Sequence, residues 1–177
     1  MSATTAYHEA GHALWIASLG WRIDRVSIRR RGDSAGRVQC HEPIPLLATL
    51  GDRQAWAICR AAMLLSGHAA VTLARGLTVP VARGLRDATH RTWLRGGRIP
   101  GVAGSHEFGA AFTALCEAYP EDEAARELDR VFGDVCGWLA ERWPAVEALA
   151  VLLVKRGELS GIELEALVPP PAASRSA

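Results

Sequence analysis

Within the stretch Tyr7-His8-Glu9-Ala10-Gly11-His12, two imidazoles and a carboxylate stand in the spacing H-E-x-x-H. On a helix, residues i and i+4 lie one turn apart on the same face. His8 and His12 so placed can hold one Zn²⁺ between them, and Glu9 then falls beside a metal-activated water as its base. The same residues also fit a helix with one exposed His-Glu pair and one buried histidine. The flanks favour a helix. Thr4 or Thr5 is a suitable N-cap, Ala6, Ala10, Ala13, Leu14, Ile16, Ala17 and Leu19 favour or tolerate helix, and Gly20 is a natural stop. Glu9 sits in the first turns, where the helix dipole favours an anion.

The elements that must position this motif can be read in order. Arg25-Val26-Ser27-Ile28-Arg29 and Arg37-Val38-Gln39-Cys40 alternate with period two around the turn-rich 31–36 stretch, which predicts a β-hairpin. Pro43 and Pro45 precede a second helix, with Asp52 as N-cap and Ala55, Ile58, Cys59, Ala62 and Leu65 on its core face. The glycine- and proline-punctuated stretch 77–104 reads as a long loop, the kind that is functional or disordered. Ser105 then caps a helix whose apolar face is Phe108, Ala111, Phe112 and Leu115. Pro120 opens another helix, with a stripe of Leu128, Val131, Val135, Trp138 and Leu139. Trp143-Pro144 begins the next, which carries Val146, Leu149, Leu152 and Leu153 and closes at Gly157. Ser160 to Glu163 is a capping box for a last short helix. The expected architecture is mainly α with one small hairpin. It forms a single domain over 1–168, followed by a disordered Pro/Ser tail over 169–177.

Composition bounds the function. The 177 residues are 49% hydrophobic and 22% charged, ordinary globular values with ample chain for a core. The net charge of +1 hides an asymmetry: residues 1–106 carry 14 basic and 6 acidic side chains, and residues 107–177 carry 6 and 13. Arg22, Arg25, Arg29, Arg30, Arg31 and Arg37 crowd the hairpin. They read as a solvated strand face rather than a nucleic-acid contact. Cys40, Cys59, Cys116 and Cys136 make no C-x-x-C pair, so they read as buried free thiols in a reducing cytoplasm. No signal peptide and no run of about 18 uninterrupted apolar residues is seen, so no transmembrane helix is expected.

The string Tyr-His-Glu-Ala-Gly-His-Ala-Leu resembles the zinc-peptidase domain of the FtsH family, whose motif helix usually reads H-E-A-G-H-A. Such domains carry a strand pair after the motif helix, and an edge strand there receives extended peptide. They also have a buried Leu-Ala-Gly-Arg-Ala-Ala-Glu helix. It corresponds to Leu65-Ser66-Gly67-His68-Ala69-Ala70-Val71, where His68 replaces Arg and Val71 replaces Glu. His68 is expected to pack or hydrogen-bond rather than to ligate.

A zinc hydrolase needs a third protein ligand, and the resemblance places it as an Asp in a Ser-Asn-Asp-Leu-x-x-Ala pattern at a helix start. Asp87 has the right type and spacing but lacks the following apolar residue. Glu107, in Ser105-His106-Glu107-Phe108-Gly109-Ala110-Ala111, fits the pattern and the helical order after it, and is the favoured ligand. No G-x-x-x-x-G-K-[ST] sequence occurs, so the expectation is a stand-alone, cytoplasmic, ATP-independent zinc endopeptidase. It would lack the family's ATPase module and membrane anchor, act on flexible or unfolded polypeptide, and work as a homo-oligomer or with a separate partner protein. A catalytically inactive metal-binding module and an Arg-rich nucleic-acid binder with an accidental motif are the competing readings.

Overall fold

Ser2, in an extended conformation, precedes helix α1, Ala3–Ser18, in the computed structural model, which describes residues 2–30, 36–77 and 105–167. Ser2 replaces the expected Thr4 or Thr5 as N-cap, and its side chain makes no capping hydrogen bond. Both threonines fit in the first turn, so the helix starts earlier than the capping signal suggests. Gly20, at φ +71°, ends the helix as expected.

Strands β1, Ile23–Ser27, and β2, Arg37–Cys40, form the expected antiparallel hairpin, with Val26 opposite Val38 and a register shift between Ile23 and Arg25. β1 begins two residues earlier than the alternation alone indicates. Arg25 donates to the Gln39 side chain at 2.9 Å, and Arg22 pairs with Asp24 at 3.3 Å, so part of the arginine face is engaged within the protein.

The hairpin is two-thirds of a three-stranded sheet of order β2-β1-β3. β3, Glu158–Ser160, pairs with β1, placing Leu159 opposite Val26. A three-residue strand shows no alternation, which is why the sequence reading misses it. Helix α5, Trp143–Arg156, leads into β3 through Gly157, whose left-handed φ of 76° closes the helix. Helix α6, Gly161–Leu167, follows, with the foreseen capping box: the Ser160 N–H donates to Glu163 at 2.8 Å, and the Glu163 N–H returns to the Ser160 hydroxyl at 3.4 Å.

These elements belong to one compact unit, residues 1–44 with 141–177, while residues 45–140 form a second. In the first unit α1 packs on α5, and the Tyr7 ring stacks on Trp143 with centroids 5.6 Å apart and planes within 3°. Ala6, Ala10, Leu14, Val26, Val146, Leu153 and Leu159 are buried there.

The second unit contains α2, Leu50–Ala74, α3, Ser105–Cys116, and α4, Glu121–Glu141. Thr49, not Asp52, is the N-cap of α2; Asp52 stands at N3 and completes a capping box with it. Two hydrogen bonds from Thr49, hydroxyl and N–H, hold the Asp52 carboxyl below the usual range. The buried face of α2 is also rotated from the one expected. Ala57, Ala61, Ala62, Leu65, Ala69 and Ala70 are buried and Ala55 is exposed, because a helix apolar on most sides gives weak periodicity.

α2 packs against α3. Phe108, Ala111, Phe112 and Leu115 are all buried, as are Leu128, Val131, Val135 and Leu139 of α4. Among the described residues α2 is the one helix long and apolar enough to cross a membrane, with a mean hydropathy of 1.4 over a window that is half buried. The rule of an uninterrupted apolar run overlooks it, since Arg53, Arg60 and His68 interrupt the helix. All four cysteines are free thiols; Cys136 is buried, but Cys116 is exposed, against expectation. The expected loop over 77–104 lies, apart from Leu77, outside the described residues, as does the expected tail over 169–177.

Candidate metal centre

The i, i+4 spacing on α1 turns His8 and His12 to one face, where their Nε2 atoms stand 3.1 Å apart. The rings meet edge to face, with centroids 4.6 Å apart and planes at 82°. Two Zn–N bonds of about 2.0–2.1 Å meeting at a tetrahedral angle separate their nitrogens by about 3.3–3.4 Å. The observed pair is close to that geometry, so both imidazoles fit a single ion. Without metal the same separation is an N–H···N hydrogen bond between one donor and one acceptor tautomer.

Glu9 is 5% exposed, unusual for a carboxylate. The chain at Gly36, at the entry to β2, comes directly against it: a Cβ there would lie 2.5 Å from Glu9 Oε1 and 2.8 Å from Cγ and Cδ. Only glycine lets the backbone approach so closely with the carboxylate held where it is. The sequence reading assigns Gly36 to a turn and gives it no role at the site. The one signal available is a glycine immediately before a strand.

In the second unit Glu107 occupies the first turn of α3 and His68 the later half of α2. The His68 Nε2 is 3.4 Å from Glu107 Oε2, and the two side chains are only 12% and 14% exposed. The His68 ring also lies against Phe108, centroids 4.6 Å apart and tilted by 43°, and Phe108 in turn meets Phe132 at 5.8 Å. His68 therefore packs against Phe108, as expected of it, and stands within ion-pair distance of Glu107, a separation that is not a hydrogen bond.

The candidate residues thus divide between the units, with His8, Glu9 and His12 in the first and Glu107 in the second. Asp87, the competing third ligand, lies outside the described residues, as does the side chain of His106. No protein-family model matches the chain, and no curated protein matches it.

Proposed function

We propose that this chain is a zinc-dependent, ATP-independent endopeptidase that cleaves flexible or unfolded polypeptide, with His8, His12 and Glu107 as metal ligands and Glu9 as general base. The observation that carries the reading is the convergence of the His8 and His12 Nε2 atoms, 3.1 Å apart, on the helix that also carries the buried Glu9. Two neutral imidazoles and a carboxylate are the donor set of a catalytic zinc site that leaves a fourth position open. The resemblance of the motif helix to FtsH-type peptidases points the same way.

A bound zinc ion would supply Lewis acidity, polarising the scissile carbonyl and acidifying water. The remaining steps belong to the chain. His8 and His12 present their Nε2 lone pairs in the neutral state, which fixes both tautomers with the proton on Nδ1. Glu9 accepts the proton of the attacking water and returns it to the leaving amine. β2 is an outer strand of its sheet, so one of its edges can add an extended peptide through main-chain hydrogen bonds, independent of substrate sequence. A stably folded substrate cannot adopt that extended form, which restricts cleavage to flexible segments.

Purified protein is expected to hold about one zinc per chain, and His8→Ala and His12→Ala each to abolish binding. Glu9→Gln keeps the size and the fold but loses the base. It should retain zinc while cleavage of an unstructured polypeptide falls by on the order of 10²–10⁴. Elemental analysis, circular dichroism and hydrolysis on one preparation check this. A zinc-loaded Glu9→Gln protein with wild-type turnover rejects the mechanism. A zinc-loaded wild type inert on all unfolded substrates identifies an inactive binding module instead.

A further inference from the structure

The buried residues of α2 are mostly small, five alanines with Gly67, Ser66 and Thr72 beside Leu65, yet among them stands His68, an imidazole that reaches across to α3. Nothing in the packing of small residues calls for a histidine there. Three observations converge on it. Its Nε2 stands 3.4 Å from Glu107 Oε2, both side chains are largely buried, and the Phe108 ring lies against the imidazole. Phe108 follows Glu107 in sequence, so one turn of α3 supplies both the carboxylate and the surface that sets the imidazole plane.

A carboxylate with two oxygens can coordinate through one and accept a hydrogen bond at the other. Fixing that second oxygen fixes the direction in which the first presents its lone pairs. A buried carboxylate without such a partner turns about its side-chain torsions and loses the geometry an ion requires.

We propose that His68 is a positioning residue: its Nε2, 3.4 Å from Glu107 Oε2 and short of a hydrogen bond, closes to donate its proton there when an ion takes the other oxygen, and so aims that oxygen at the metal. The proposal rests on the metal-site reading above, but it concerns how α2 and α3 prepare a ligand within one unit. His68 touches neither substrate nor metal. The role requires a proton on Nε2, whereas His8 and His12 must present Nε2 lone pairs to an ion.

The test is titration with Co²⁺ alone, whose visible spectrum reports ligand geometry, on wild type, His68→Leu and His68→Gln, with thermal melting of each metal-free protein. His68→Leu keeps bulk against Phe108 but removes the donor. His68→Gln retains an N–H donor at similar reach. The expected result is a single site throughout. Co²⁺ affinity should fall about 10–100-fold in His68→Leu, the loss typical when a partner of a metal ligand is removed, with a changed absorption band. Affinity and band should largely recover in His68→Gln. The metal-free melting temperatures need not follow that order. Wild-type affinity and spectrum in His68→Leu overturn the proposal, as does equal weakening in both variants or complete loss of the site in both. Failure of wild type to bind Co²⁺ overturns the metal-site reading itself, a result distinct from any of these.

Discussion

On the proposed mechanism Glu9 is a general base and has to be held still, and at the residue scale the close approach of Gly36 does this. Adding one methyl at position 36 places it 2.5 Å from Glu9 Oε1. The atoms it meets are the far end of a flexible side chain, so the carboxylate swings away and the backbone need not break. Gly36→Ala should therefore fold and keep its zinc. Its turnover on an unfolded polypeptide should fall by roughly 10-fold to 10²-fold, the scale of a misplacement of about 1 Å. Comparing zinc content and turnover with wild type checks this, and unchanged turnover would show that Glu9 needs no fixed position. The approach of His8 to His12 was legible in the sequence because a helix converts their i, i+4 spacing directly into a shared face. Gly36 was not legible, because its approach to Glu9 exists only in the tertiary fold. His68 was half legible: residue type and setting announced a hydrogen-bonding or packing histidine, but its partner depended on how α2 meets α3.

At the scale of elements, helix positions followed from capping and stripes, and the misses came where a signal was short or diluted. β3 has too few residues to alternate, and α2 is too uniformly apolar to reveal its buried face. The short α6 is pinned to the sheet by Gly161. A Cβ there would lie 1.8 Å from the Ile23 carbonyl oxygen and 2.9 Å from its carbon. Both neighbours are backbone of β1, so no rotamer change relieves the clash. Gly161→Ala should destabilise by about 1–3 kcal/mol, lowering the melting temperature by several degrees. Gly137 in α4 is the control, since nothing lies within 4 Å of its Cβ position. Gly137→Ala should stabilise by about 0.5–1 kcal/mol through helix propensity and a less free unfolded chain. Melting curves of the two variants, which should move in opposite directions, test the pair.

At the scale of the whole molecule, the mainly helical class was legible from periodicity and caps. The division into two units was not, because it depends on contacts between segments far apart in sequence. Metal binding offers a readout at this scale. A ligand that binds only the folded protein at 100 times its dissociation constant contributes about 2.7 kcal/mol. Adding a chelator to the zinc-loaded protein should then lower the melting temperature by roughly 5–10 °C. Glu9→Gln should show the same fall, because Glu9 is not a ligand, whereas His12→Ala should show none. A chelator-insensitive melting temperature in a zinc-loaded wild type would place the metal away from the folded core. Cleavage should also proceed without ATP and spare a stably folded form of the same substrate, which paired digests would reveal.

The pairing of β1 with β3 has a consequence for biosynthesis. Ser27 and Gly157, joined by a hydrogen bond, stand 130 residues apart in the chain. At ribosomal rates of about 5–20 residues per second, β1 therefore waits on the order of ten seconds before its second neighbour exists. Residues 45–140 are continuous and can collapse meanwhile. The unit that contains the H-E-x-x-H helix cannot, for its remaining part is 141–177. A helix in a protein draws most of its stability from tertiary packing, so a nascent or carboxyl-terminally shortened chain carries the motif in sequence without the packed helix that presents it. On the proposed peptidase reading, hydrolytic competence is thereby deferred until translation has passed β3, and an incomplete chain emerging beside other unfolded polypeptides would not yet be equipped to cut them.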